Sequence, residues 1–141
     1  MIRPATLPDF EAVYPLFGQL WPGKPLDRDA LRAVFARAAA SDTDALLCLE
    51  AEGRVVGFCA YAIVNNLWQE GQISYVYGLV VDEGCRGQGF GAQLMSAVIE
   101  QSRERGLKRV ELDSAFHREG AHAFYQRLGF EKRAYLFSYP L

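Results

Sequence analysis

Arg86-Gly87-Gln88-Gly89-Phe90-Gly91 has a glycine at every second position and stands in front of an amphipathic segment. Glycines leave the backbone N–H groups unshielded, and the start of a helix adds the positive end of its dipole. Loops of this kind bind phosphate oxygens, and Arg86 adds a charged donor. The sequence therefore predicts a phosphate-binding turn, against the alternative of a flexible loop that only caps the helix.

The segments on either side of this loop have different hydrophobic periodicities, that of a strand before it and that of a helix after it. Gln72–Val81 alternates as a strand does, and Gly78 interrupts the alternation, which predicts a bulge or the close approach of another group. Phe90–Arg105 carries apolar residues at the spacing of three to four that predicts a helix, and Gly106 fits its C-terminal cap. The loop is thus expected to join a strand to a long helix.

The rest of the chain predicts further strands and helices without a linker or repeat, so residues 1–141 are expected to form one domain. The predicted elements are a strand near 2–3, a helix capped by Thr6, a helix over Asp27–Ala40, strands over Ala45–Glu50, Val55–Val64 and Lys108–Asp113, a helix over Glu119–Leu128, and a terminal strand over Phe130–Glu131 and Arg133–Tyr139. This order predicts a three-layer α/β (α+β) fold with a central mixed, mostly antiparallel sheet flanked by helices.

The composition restricts the class of protein. The 141 residues are 50% hydrophobic and 13% aromatic, which is sufficient for a buried core. Fifteen Lys and Arg against 17 Asp and Glu give a formal charge of -2, so no basic excess favours nucleic acid or anionic lipid. Because neither a secretory signal nor a membrane-spanning stretch is evident, we expect a soluble cytoplasmic protein with no nucleic-acid or membrane partner.

The cysteines and histidines carry no pattern typical of a metal site. Cys48, Cys59 and Cys85 are an odd number without metal-ligand spacing, and reduced thiols are the simplest interpretation. His117 and His122 are the only histidines, and the central strand near them in the predicted fold is poor in carboxylates. No metal site is therefore predicted.

Two phosphate-bearing ligands fit the glycine loop. Gly87, Gly89 and Ala92 match the G-x-G-x-x-A fingerprint of dinucleotide-binding folds, with the acidic Glu111 and Asp113 at about the expected distance. However, residues 82–85 separate the strand from the glycines, and too little sequence follows to complete a doubly wound sheet. The pyrophosphate of coenzyme A is the second candidate ligand.

Three segments taken together favour coenzyme A. The chain resembles the GCN5-related N-acetyltransferase (GNAT) superfamily in the order and spacing of three segments. In chain order these are Leu79-Val80-Val81-Asp82, Arg86-x-x-Gly89-x-Gly91 and Ala121-x-x-Phe124-Tyr125-x-x-x-Gly129-Phe130. The resemblance covers essentially the whole chain. The segments over 9–16 and 117–141 look similar to bacterial aminoalkylphosphonate N-acetyltransferases.

This resemblance implies acetyl-CoA as co-substrate and assigns roles to particular residues. The pyrophosphate would be held by Arg86, Gly87, Gln88, Gly89, Phe90 and Gly91. The pantetheine arm would lie along the backbone of Leu79, Val80 and Val81. The departing thiolate would take a proton from Tyr125, for which the alternative is a packed aromatic ring. The implied reaction is direct attack by a primary amine in a ternary complex.

The acceptor side departs from the family pattern. Ser74-Tyr75-Val76-Tyr77-Gly78 holds no carboxylate where many relatives carry a general base, so the amine either arrives neutral or loses its proton through water to Glu70 or a tyrosine. The family's frequent Asn before the last helix is also absent, with Arg118 near that position. Tyr75 and Tyr77 are candidate substrate residues, and with Tyr61 and Trp68 they form either an acceptor pocket or part of the core.

The sequence thus predicts an N-acetyltransferase for a small-molecule amine. Three alternatives remain: a protein N-terminal or lysine acetyltransferase, a non-catalytic acyl-CoA-binding module, and a nicotinamide-dependent oxidoreductase. The aromatic Tyr135, Phe137 and Tyr139 of the terminal strand either pair across a homodimer or complete the sheet. Dimers are common in the family that the chain resembles, so a homodimer is expected.

Overall fold

The computed structural model describes residues 1–141 and contains five strands and four α-helices. In chain order they are β1 (Ile2–Pro4), α1 (Phe10–Leu20), α2 (Arg28–Ala40), β2 (Asp44–Ala51), β3 (Arg54–Asn66), β4 (Gly71–Val81), α3 (Phe90–Glu104), β5 (Val110–Leu112) and α4 (Glu119–Arg127). Two compact units make up the chain, Met1–Glu111 and Leu112–Leu141. None of the helices is long and apolar enough to cross a membrane.

The strands form one sheet in the order β1-β2-β3-β4-β5. Strands β1 to β4 pair antiparallel with their neighbours. Beside β4, the N–H of Lys108 donates to the carbonyl of Gln72 at 2.8 Å, and that of Ser74 donates to the carbonyl of Arg109 at 2.9 Å. Residue numbers rise together along both segments, as in a parallel pair. The predicted mixed, mostly antiparallel sheet is therefore confirmed.

Helices cover both faces of this sheet in the first unit. On one face, Phe10 and Phe17 of α1 and Phe35 of α2 pack with Phe58 of β3, and the Phe17–Phe58 ring centroids lie 5.4 Å apart. On the other face lie three fully buried residues of α3, namely Leu94, Met95 and Val98. Burial of these apolar side chains is the main stabilising contribution to such a layered arrangement.

A bulge interrupts the pairing of β3 with β4. Ala60 lies opposite Gly78, whereas the next residue, Tyr61, lies opposite Val76. Tyr77 is therefore an extra residue on β4 with no partner on β3, which is the arrangement of a β-bulge. The irregularity predicted from Gly78 is confirmed, and the extra residue is its neighbour.

The turn between β2 and β3 follows the local sequence closely. Glu52 and Gly53 both have positive φ, at 55° and 75°. Two consecutive residues of positive φ are the signature of the type I′ turn, whose twist matches that of a two-stranded hairpin. This turn joins the strands predicted over Ala45–Glu50 and Val55–Val64 into a hairpin.

The predicted terminal strand over Phe130–Glu131 and Arg133–Tyr139 is wrong. No helix or strand follows Arg127, and the side chains of Tyr135, Phe137 and Tyr139 are 72%, 91% and 87% exposed. Alternating aromatic residues favour a strand only where a neighbouring edge supplies backbone partners. In this structure the β-propensity of the segment is not realised.

We expect Leu94→Ala to lower the free energy of unfolding by about 2–5 kcal/mol, because it opens a cavity between α3 and the sheet. Urea denaturation followed by circular dichroism measures the change. Leu67→Ala is the matched control, since Leu67 is 96% exposed, and its effect should stay within about 0.5 kcal/mol. Equal losses in both variants would contradict this assignment of the core.

Candidate active site

A short turn precedes the glycine loop, and hydrogen bonds to residues distant in sequence hold this turn in place. The turn, Glu83–Cys85, follows β4 directly. The carboxylate of Asp82 accepts from Arg54 Nη1 at 2.8 Å and from Gln19 Nε2 at 3.2 Å, and Gln19 Oε1 accepts from the N–H of Glu83 at 2.8 Å. The hydrogen bond from Arg54 is the largest cause that lowers the pKa of Asp82. The turn is thereby connected to both α1 and β3.

The three cysteines are free and buried. Cys85 lies in the turn, with its Sγ 3.2 Å from Arg54 Nη2. Burial raises the pKa of the Cys48 thiol to about 12 and that of the Cys59 thiol to about 12. Because the reactive species of cysteine is the thiolate, these two residues serve as small apolar side chains and not as nucleophiles.

The glycine loop exposes backbone donors at the start of α3. Gly87 and Gly89 have φ of +80° and +82°, the left-handed conformation that residues with a Cβ rarely adopt. The first helical bond runs from the N–H of Gln93 to the carbonyl of Gly89, so the N–H groups of the first turn have no helical acceptor. Open donors and the positive end of the helix dipole make this turn an anion-binding site.

Arg86 adds a positive charge beside these donors. Its Nε donates to the carbonyl of Val81 at 3.0 Å, and this hydrogen bond restricts the position of the guanidinium. Its terminal nitrogens take part in none of the ion pairs of the chain. The exposed guanidinium is thus available to an anionic ligand of the loop.

One edge of β4 next to the loop carries backbone groups that face away from β3. The N–H of Asp82 donates to the carbonyl of Val56 at 2.8 Å, and Val80 lies opposite Phe58 two residues earlier. Hydrogen bonds in antiparallel pairs involve every second residue, so Val80 bonds to β3 while Leu79 and Val81 point to the other edge. The bond from Arg86 to the carbonyl of Val81 agrees with this direction.

The aromatic residues considered for an acceptor pocket do not come together. Tyr61 is fully buried and its hydroxyl donates to Gln101 of α3 at 2.6 Å. Tyr77 is 41% exposed and its hydroxyl donates to Asp44 at 2.5 Å, whereas Trp68 is 80% exposed at the β3–β4 turn. Partial burial and the hydrogen bond to Asp44 raise the pKa of Tyr77. Tyr75 is half-buried, and Tyr77 lines an open groove.

The second unit places Tyr125 on α4. Tyr125 is 9% exposed, and its ring packs against Phe130 and Phe124 with centroid distances of 5.8 and 5.3 Å. Its carbonyl accepts from the N–H of Phe130 at 3.0 Å, which closes the end of the helix. In the same unit His122 Nε2 lies 2.9 Å from the carbonyl of Ala115, and no cluster of His, Cys, Asp and Glu has the composition of a metal site.

Comparison with known proteins identifies one family. A model of the acetyltransferase (GNAT) family matches residues 10–130. The chain is similar to the aminoalkylphosphonate N-acetyltransferase of Salmonella typhimurium, at 31% identity over 99% of this chain and 90% of that protein. It is similar also to glucosamine 6-phosphate N-acetyltransferase 1 of Oryza sativa, at 31% identity over 94% of this chain and 81% of that protein.

Two further similarities differ in coverage. An uncharacterized N-acetyltransferase of Methanocaldococcus jannaschii is 34% identical over 65% of this chain, and the match spans only 41% of that protein. The aminoglycoside N-acetyltransferase AAC(6')-Iy, solved in complex with CoA, superposes with a TM-score of 0.86 at 26% identity, over 100% of this chain and 93% of that one.

We expect Gly89→Ala to destabilise the protein by about 1–2 kcal/mol, because a Cβ makes the left-handed backbone at this position costly. Gly84→Ala is the control, since Gly84 has no positive φ and, like Gly89, has open space around a new Cβ. Thermal unfolding of the two variants measures the difference. A loss as large in Gly84→Ala would contradict the role assigned to backbone conformation.

Proposed function

The chain belongs to the acetyltransferase (GNAT) family, and we propose that it transfers an acetyl group from acetyl-CoA to the primary amine of a small molecule, with residues 1–141 acting as one catalytic domain. Family membership makes acetyl-CoA the donor and N-acetylation the reaction. The observation that carries the proposal is the anion-binding turn at the start of α3, where open N–H groups lie beside an uncommitted guanidinium.

The coenzyme is proposed to bind along the loop and the adjoining edge of β4. The pyrophosphate contacts are assigned to Arg86, Gly87, Gln88, Gly89, Phe90 and Gly91. The backbone of Leu79, Val80 and Val81 is assigned to the pantetheine arm. The outward direction of the Leu79 and Val81 groups supports this assignment, because the amides of pantetheine are hydrogen-bonding partners of the kind that a strand edge accepts.

The length of β4 indicates where the thioester lies. Strands rise about 3.3 Å per residue, so Val81 and Tyr77 are separated by about 13 Å along the strand. An extended pantetheine arm covers a comparable length. With the pyrophosphate at the glycine loop, the acetyl group then lies near the bulge at Tyr77, where the strand is locally bent.

The proposed chemistry is a direct transfer. The nitrogen of the neutral amine attacks the thioester carbonyl carbon, a C–N bond forms and the C–S bond breaks. The nitrogen loses one proton and the departing thiolate gains one, so the products are the acetamide and free CoA. Tyr125 is assigned as the donor of the thiolate's proton, since a phenol with a pKa of about 10 matches the basicity of a thiolate. Backbone N–H groups of β4 near the bulge are assigned to polarise the carbonyl.

The substrate class follows from what the relatives share. The Salmonella and Oryza enzymes are named for amines that carry a phosphonate or a phosphate. We assign to this chain a small amine with an anionic group. The open groove next to Tyr77 has room for a molecule of this size.

We further place the protein in the cytoplasm as a homodimer. Free buried cysteines are consistent with a reducing compartment.

The exposed aromatic residues of 135–139 support self-association, because a second copy would cover apolar surface that the described chain leaves in water. Light scattering should give twice the chain mass, and Phe137→Ser should shift the protein towards the monomer. A wild-type monomer at micromolar concentration would contradict this.

We expect Tyr125→Phe to lower kcat by about 100-fold or more while the Kd for acetyl-CoA stays within about twofold, because only the proton donor is lost. Thiol release from acetyl-CoA across a panel of amines, aminophosphonates and peptides gives kcat, and calorimetry gives Kd. Arg86→Ala should show the opposite pattern, with Kd raised about tenfold through loss of a charged phosphate contact.

Tyr14→Phe is the matched control, since it also removes a tyrosine hydroxyl but lies on α1, where the ring packs against Phe10. Its kcat and Kd should equal those of the wild type. Unchanged turnover in Tyr125→Phe would remove that residue from the mechanism. Binding of acetyl-CoA without turnover of any amine would identify a non-catalytic acyl-CoA-binding module instead.

A further inference from the structure

An open groove lies between α2 and the bulge of β4, with a volume of about 480 Å³. We call it the α2–β4 groove, and it is lined by Val34, Arg37, Ala38, Ser41, Asp44 and Tyr77. All of these residues belong to the first unit. Two of its lining side chains carry full charges of opposite sign.

Asp44 provides a fixed negative charge in this groove. Its carboxylate accepts from the hydroxyl of Tyr77 at 2.5 Å and from Ser41 Oγ at 3.0 Å. The residue is half-buried and takes part in no ion pair within the chain. Thr43 Oγ1 also donates to it, at 3.5 Å. These neutral donors orient the carboxylate without neutralising it, which leaves it able to bind a cation.

Arg37 provides the positive charge. It lies in the last turn of α2, is exposed, and has no carboxylate partner among the ion pairs of the chain. A guanidinium with free donors binds carboxylate, phosphate or phosphonate oxygens in a bidentate manner. The groove thus presents complementary groups for both charges of a small zwitterion.

The position of Asp44 supplies what the sequence of β4 lacks. Residues 74–78 contain no carboxylate. The structure brings one from the start of β2 to the side chain of Tyr77, the extra residue of the bulge. A cation held by Asp44 lies at the hydroxyl end of the Tyr77 side chain, the residue near whose backbone the acetyl group is proposed to lie.

We propose that the α2–β4 groove binds the acceptor as a zwitterion, with Asp44 holding its ammonium group and Arg37 holding its anionic group. This inference rests on the proposed function and names the substrate class, a short aliphatic amine with a phosphonate, phosphate or carboxylate. Asp44 acts here as a binding residue. The ammonium proton passes to water in the open groove before attack, and the neutral nitrogen then forms the C–N bond as the C–S bond breaks.

The test is calorimetric binding of (2-aminoethyl)phosphonate to the CoA-saturated protein, with KM measured for the same compound. Asp44→Asn keeps the size of the side chain and should weaken binding about tenfold or more, because a charge-assisted contact is lost. Arg37→Gln should weaken it to a similar degree. For ethanolamine, which has no anionic group, Arg37→Gln should change the Kd by no more than about twofold.

The chain offers a matched control for each variant. Asp42→Asn and Arg32→Gln each remove one exposed charge next to the groove residues, yet neither residue lines the groove. Both should bind the probe as the wild type does, which separates the effect of contact from that of net charge. Tyr77→Phe removes the hydroxyl donor of Asp44 and should weaken binding less than Asp44→Asn, with an unchanged melting temperature as the check on folding.

The outcomes separate this inference from the proposed function. Equal probe affinity in Asp44→Asn and wild type, or equal losses in Asp42→Asn, would overturn the groove assignment even if the enzyme acetylates the amine. Failure of the wild type to bind the probe would overturn it as well. Binding that depends on Asp44 without any thiol release would preserve the groove as a zwitterion site and refute the acetyl transfer.

Discussion

The extra residue at Tyr77 is the constraint on which the outward-facing edge of β4 and the α2–β4 groove both depend. Before the bulge, Tyr61 lies opposite Val76, and after it Phe58 lies opposite Val80. Without the insertion Phe58 would lie opposite Leu79, and every later side chain of β4 would exchange faces. The shift places Val80 in the apolar cluster with α1 and α2. It also leaves the side chain of Tyr77 in the groove, beside Asp44.

Features that depend on neighbouring residues were predictable from the sequence. The type I′ hairpin turn, the bulge next to Gly78 and the helix that follows the glycines all arise from local backbone preferences. The family resemblance gave the acetyltransferase function because the order and spacing of several short motifs survive where each motif alone is weak. The assignments of individual coenzyme contacts and of Tyr125 remain predictions.

Features that depend on distant pairs were not predictable. The contact of Asp44 with Tyr77 joins residues 33 positions apart, and that of Arg54 with Asp82 joins residues 28 apart. No local signal marks such partners, since Asp and Arg are ordinary surface residues until the fold brings them together. The terminal segment is the reverse case, in which a strong local preference for a strand is present but no strand forms.

The buried thiols have a consequence for an enzyme that holds an activated acyl group. A thioester exchanges readily with a free thiolate, so a reactive cysteine near acetyl-CoA would become acylated and divert the donor. Burial holds the thiols of Cys48 and Cys59 in the protonated form, because it raises the pKa of each to about 12. Cys48 and Cys59 therefore serve as packing residues and do not compete with the amine for the acetyl group.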